Sequence, residues 1–360
     1  MKKATIIGLI VLVIGVVMAG VGFAYGGMYP YGPHFGDGAN GVRPGSAAVR
    51  SNDKMEIVDK TWENTNEIKS LRVDLRLMIR AEIRAEGDSF SVKGQNLLSV
   101  GGLKAEVVGG TLMVEPSQDS TTWWNSFWDF VNFRIPLRSD DCYVVVTVPE
   151  NLKLDRMDAD ISVGSLSITG IDAKELSANA DTGSSTLRNI RADRFTLRSS
   201  TGDCKLTDIH VSEADIQIDT GSTTMQNLQA DRFTLRSSIG SCKLTDVRVS
   251  EADIQTDTGE FMANGFASSK ALTFKKSLGS ATFTDAVLEG TSRFDTDTGS
   301  LTLSLNMPRE TVGYEISSNA GSVRIDGADV RGDVTNIPPG ATSRLTVNSS
   351  VGSVRIDFAE

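Results

Sequence analysis

Residues 192–221, ADRFTLRSSTGDCKLTDIHVSEADIQIDTG, return almost unchanged at 230–259 as ADRFTLRSSIGSCKLTDVRVSEADIQTDTG. The five differences are Thr201/Ile239, Asp203/Ser241, Ile209/Val247, His210/Arg248 and Ile218/Thr256, which leaves 25 of 30 positions identical. Within each copy the turn glycine recurs at half the copying distance. Gly164, Gly183, Gly202, Gly221, Gly240 and Gly259 fall at every nineteenth position, and Gly279, Gly299, Gly321 and Gly352 follow at gaps of 20, 20, 22 and 31. A fixed period of this length means stacked copies of a small unit that could not bury its apolar face alone.

The residues around each glycine say what the unit is. Two positions after it stand Leu166, Cys204, Cys242, Phe261 and Leu301; four after it, Ile168, Leu187, Leu206, Met225, Leu244 and Phe283. Five before it stand Leu197, Ile216, Leu235, Ile254, Phe274 and Phe294. The positions between are mostly Thr, Ser, Arg, Lys, Gln and Asp, so apolar and polar alternate with period two, as in strands with one buried face. A coiling chain and an antiparallel meander both satisfy this pattern. We favour the coil, because uniform spacing lets every strand enclose one shared core. The expected fold is all-β, a single-stranded parallel β-helix or β-solenoid that completes one coil per nineteen-position period over residues 151–360. Equivalent residues would then lie about 4.8 Å apart.

Outside the repeats the composition changes. Lys2 and Lys3 precede an uncharged, mainly apolar run from Ala4 to Tyr25, long enough for a transmembrane helix. A cleavable signal peptide is the rival, but its apolar core usually has only about 7–15 residues. Residues 1–25 are therefore expected to anchor the chain with its N-terminus cytoplasmic and the remainder outside. Residues 26–54 begin with a Gly/Pro-rich tract that suits a flexible linker. The formal charge of −10 becomes −10 − 2 = −12 without Lys2 and Lys3. That excludes a nucleic-acid role, which needs a basic face. Cys204 and Cys242 would sit two coils apart, too far for a disulfide, and are expected to be small core hydrophobes. The final coil, with Val354, Ile356 and Phe358, ends the chain without an evident cap. Its strand edge offers a route to self-association.

Residues 55–150 lose the period but keep strand patterning, as in Leu71, Val73, Leu75, Leu77 and Ile79. They are expected to form irregular first strands and a cap. A strand ending in Val148-Pro149 leads into LKLDRMDADISVGSLSI and then DTGS-type turns. In this order and spacing the chain, from about residue 55 to 360, resembles the bacterial adhesin-like family of β-strand-repeat domains. The resemblance implies an exported β-solenoid of unestablished function and carries over no catalytic residue. Within the cap segment, Trp124, Phe127, Trp128 and Val131 have the spacing of an apolar helical stripe. With Trp123 they are either a plug over the open end of the core or an aromatic platform for lipid headgroups or sugar rings.

Catalytic readings find little. The DTG turns at Asp181, Asp219, Asp257 and Asp297 echo aspartic proteases, where two carboxylates share a proton. On alternate coils these aspartates would be far too distant. A surface Asp with Arg198, Lys205, Arg236 or Lys243 could serve a glycan lyase or hydrolase, yet these residues recur with the repeat rather than mark one place. No paired Cys or His spacing suggests a metal, and no cofactor is expected. The expected function is non-enzymatic binding or scaffolding at the cell envelope, with glycan, lipid or another protein as partner. An accessory role in envelope-stress signalling and an envelope glycan enzyme are the alternatives.

Overall fold

The computed structural model describes residues 58–63, 65–75, 79–95, 103–117 and 143–359. The strands Ser185–Thr201, Cys204–Thr220, Thr223–Ile239 and Cys242–Thr258 pair parallel in sequence order. Leu187 lies beside Leu206, Leu206 beside Met225, and Met225 beside Leu244. This is the expected solenoid and not a meander: each residue neighbours the one a full glycine period further on.

Each coil has three straight runs and three corners. At the first corner Gly183, Gly202, Gly221 and Gly240 hold φ between 133° and 145°, a region closed to most side chains. A Cβ on Gly221 would also overlap the carbonyl oxygen of Gly202. The second corner is left-handed at Asn189, Asp208, Asn227 and Asp246, with φ from 51° to 57°. Asn and Asp tolerate that geometry best after glycine. The Asn227 side-chain amide donates to the Asp208 carboxylate at 2.6 Å. The third corner, near residue 193, shows as a skipped partner between Ala192↔Val211 and Arg194↔Glu213.

The core fills the tube these runs enclose. One inward column reads Phe195, Ala214, Phe233, Ala252, all buried. Large and small residues alternate coil by coil, which gives the two-coil copy a packing reason: two successive Phe would compete for the same width. Further along, Phe261, Phe274, Phe283 and Phe294 gather with ring centroids 4.8–5.7 Å apart. Cys204 and Cys242 are free and buried, as expected, with Thr223 between them in the column.

The ends depart from sequence order. Ser70–Leu75 and Ile79–Ala85 continue the columns ahead of Lys153–Thr169, so that Leu71 sits beside Met157 and Ile83 beside Ile168. Thr111–Pro116 and Tyr143–Val148 stack parallel on that coil. Leu103–Val108 and Phe90–Gln95 then close it with antiparallel pairing, and Val58–Trp62 adds to Phe90–Gln95. At the other end the last coil is threaded inside. Ser343–Val351 pairs with Gly290–Thr298 on one side and Val312–Ala320 on the other. Val354–Ala359 likewise lies between Leu301–Pro308 and Val323–Ile325. Val334–Asn336 and Ala328–Val330 finish the stack antiparallel.

This corrects the expectation of an uncapped final coil. Val354 and Ile356 are 1% and 0% exposed, and their strand is paired on both edges. Over residues 354–356 that strand has no free edge for self-association. The chain runs past its own terminus, turns back, and seals the stack with short antiparallel strands that interrupt the parallel edge.

Candidate binding face

Outward residues inherit the column rule, so the repeat writes itself onto the surface. The straight run after the third corner gives 194–200, 213–219, 232–238 and 251–257. On the first and third of these stand Arg194, Arg198, Arg232 and Arg236. On the second and fourth stand Glu213, Asp215, Asp219, Glu251, Asp253 and Asp257. The wall is therefore banded, basic coil against acidic coil. One column runs Arg156, Glu175, Arg194, Glu213, Arg232, Glu251. Its ion pairs are Arg156–Glu175 at 3.0 Å, Arg194–Glu213 at 3.1 Å, and Arg232 to Glu213 and Glu251 at 3.9 and 3.8 Å. The arginines at 194 and 232 remain 64% exposed, so each contact contributes little to stability.

Two shallow troughs flank the third corner. One, about 600 Å³, opens beside His210, Gln229, Arg248 and Glu289. The other, about 730 Å³, opens onto the banded wall beside Arg194, Glu213, Arg232 and Lys270. Both extend over several coils and lack a single convergent set of groups. Among the described residues no cluster of three or more His, Cys, Asp or Glu could hold a metal ion. Asp181, Asp219, Asp257 and Asp297 stand one per alternate coil, as the sequence led us to expect. Lys205 and Lys243 are exposed on the coils of Asp219 and Asp257, whereas Arg198 and Arg236 are exposed on the coils between, and Arg236 pairs with Asp253 at 3.8 Å.

Titration behaviour marks one interior position. Lys276 is 3% exposed, and its amine donates to the Thr256 hydroxyl at 3.4 Å. Burial pushes its pKa below the ordinary lysine value, against smaller opposing effects of Cys242 and Asp257. Burial also pushes the Cys204 and Cys242 thiols up, which makes both poor nucleophiles. At the wet surface, the Lys174 hydrogen bond holds the Asp155 carboxyl below its usual range. Sequence reasoning missed Lys276, because a lysine between Lys275 and Ser277 looks like one more polar residue. Counting in twos from the buried Phe274 would have turned it inward.

Trp123, Trp124, Phe127 and Trp128 lie outside the described residues. So does the apolar run 4–25, and among the described residues no helix is long and apolar enough to cross a membrane.

A family model, Toastrack DUF4097, matches residues 70–229 and again 217–357. The chain belongs to this family. Together the two matches run from residue 70 to 357, across the central coils and most of the interleaved ends, and the adhesin-like resemblance drawn from the sequence holds. No curated protein matches the chain. Among solved structures, a "putative lipid binding protein" from Parabacteroides distasonis is 12% identical, covering 84% of this chain and 97% of its own, with a TM-score of 0.37. A "putative adhesin" from the same species is 10% identical over 85% and 98%, TM-score 0.38. A "putative cell adhesion protein" from Clostridium sporogenes is 11% identical over 85% and 100%, TM-score 0.20. At these values nothing about a ligand passes from those proteins to this Toastrack chain.

Proposed function

We propose that this Toastrack chain is a non-enzymatic binding or scaffolding element of the cell envelope, held at the membrane by residues 4–25 with its solenoid outside the cytoplasm. The observation that carries the reading is the uniformity of the outer walls. Between residues 192 and 259 the same outward side chains recur on every second coil, and among the described residues no coil assembles a unique convergent set of groups. Catalysis needs such a set, with nucleophile, base and charge stabiliser converging on one point. Adhesion and scaffolding need extended surface instead. The anchor is supported by Lys2 and Lys3 before the apolar run Ala4 to Tyr25, with no further positive charge until Arg43.

The aromatic segment is the contact this reading places nearest lipid or glycan. The test compares wild type with Trp124→Ala combined with Trp128→Ala, measuring binding to phospholipid vesicles and to cell-wall glycan fragments alongside thermal unfolding. The expected result is binding lost with the melting temperature unchanged. A melting temperature lowered by several degrees would assign these tryptophans to sealing the core and remove them from the contact surface. Release of soluble sugar from the glycan by wild type would overturn the non-enzymatic reading.

A further inference from the structure

The banded wall has a symmetry that a single chain does not use. Four successive coils carry the order basic, acidic, basic, acidic along the solenoid axis, on 194–200, 213–219, 232–238 and 251–257. We propose that this wall is a docking surface for a second copy of the same chain, packed face to face and antiparallel about a two-fold axis that lies between coils two and three and runs along the strands.

The geometry follows from that axis. A two-fold in the plane of the interface and parallel to the strands reverses the order of the coils and leaves each column opposite itself. Coil one then faces coil four of the other copy, and coil two faces coil three. In the outermost column Arg194 meets Glu251, and Glu213 meets Arg232. In the next, Thr196 meets Asp253 and Asp215 meets Thr234. Arg198 then meets Gln255 and Gln217 meets Arg236, while Ser200 meets Asp257 and Asp219 meets Ser238. At the corner, Asp193 meets Ser250 and Ser212 meets Asp231. All ten juxtapositions place a charge against its opposite or against a neutral hydrogen-bonding group.

Other arrangements fail on charge. A two-fold parallel to the solenoid axis sets each coil on itself with its columns reversed, so that, centred on the wall, Glu213 faces Asp219 and Glu251 faces Asp257. Sliding the antiparallel pair by one coil sets Arg194 on Arg232 and Glu213 on Glu213. Like charges brought together suppress such registers. The rule also bounds the patch, because one coil further out Lys174 would face Lys270. An isologous contact of this kind closes at two copies.

The charges are available for it. The arginines of the ladder are well exposed, their contacts within the chain reach 3.8 and 3.9 Å at Arg232, and Arg198 has no ion pair among the described residues. Four coils of seven residues cover on the order of 400 Å² per copy at ordinary strand spacings. That is about half of a standard protein interface, so the expected dimer is weak and strongly salt-dependent.

Sedimentation of the full-length chain in non-ionic detergent, at about 100 µM protein, tests this. In about 20 mM salt the wild type is expected to be largely dimeric, and in about 500 mM salt largely monomeric. Arg194→Glu with Arg232→Glu makes the four patch positions of this column all acidic; Glu213→Arg with Glu251→Arg makes the same four all basic. Each double variant alone is expected to dimerise about a hundredfold more weakly. Mixed one to one, the two are expected to recover a 1:1 dimer, a readout that misfolded chains cannot give. A wild type that stays monomeric in low salt overturns the proposal. So does a dimer that survives both charge reversals, since it would use another surface.

Discussion

Between Ser185 and Thr258 the chain stacks by addition: each coil lies on the one made just before, one glycine period earlier. The ends stack by insertion. Leu71 lies beside Met157, and Val354 lies between Leu301 and Val323. Both regions keep the same columns and the same inward residues, so burial alone does not distinguish them. What differs is the fate of the last edge. The central coils each have a neighbour to satisfy their backbone groups, whereas a terminal coil would leave a parallel edge open. Overrunning the end and returning closes that edge with the chain itself. The centre is therefore free to vary its outer wall, and the ends are committed to sealing.

The glycines separate the two regimes most sharply. Gly221, in the centre, has φ +143 and no room for a Cβ beside the Gly202 carbonyl. Gly327, in the antiparallel cap, has φ +78 and nothing within 4 Å of a Cβ. Gly221→Ala is expected to cost roughly 3 kcal/mol or more, since the coil must part from its neighbour. Gly327→Ala is expected to cost only about 1 kcal/mol, the local expense of a left-handed residue. Urea unfolding of both variants measures this, and equal losses would mean that the coil contact does not govern the corner.

A smaller effect sits where the centre gives way to the C-terminal end. Lys276 occupies a buried column between Thr256 and Thr296, and its folded pKa is lowered by burial. The unfolded chain thus binds the proton more tightly than the native one, so this residue's penalty grows as pH falls from about 10.4 to the folded pKa and is constant below it. Lys276→Met is expected to stabilise the protein by about 1 kcal/mol at neutral pH. The gain should fade as pH rises past about 10.4. Thermal melts across that range check it; a destabilised variant at neutral pH would show that the amine has a role in the core that its single bond to Thr256 does not reveal.

Much of this fold was legible because a parallel stack converts sequence period directly into spatial neighbours. The glycine spacing located the first corner, and the alternation around Leu197, Ile216 and Leu235 located the core. The left-handed corner was hidden, since Asn189, Asp208, Asn227 and Asp246 look like polar strand residues until their φ is known. The ends were hidden for a different reason. The widened gaps before Gly321 and Gly352 do record the insertion, but spacing along a chain carries no order in space. The candidate face was half visible: the DTG aspartates were already expected on alternate coils, and the arginine bands between them emerged only when register fixed which residues share a wall.

The account depends on that register, most of all where it breaks sequence order. In a chain with Cys142, Cys204 and Cys242 replaced by serine, cysteine pairs at outward-facing positions can be oxidised and the disulfides counted by mass spectrometry. Register places Thr302 beside Arg355 and Arg355 beside Arg324, at a strand spacing of about 4.8 Å that a disulfide can bridge. We expect Thr302→Cys to link with Arg355→Cys, and Arg324→Cys with Arg355→Cys, while Thr302→Cys and Arg324→Cys, two coils apart, do not link. A ready link between positions 302 and 324, with none between 302 and 355, would show coils laid down in simple sequence order and would contradict the threaded end.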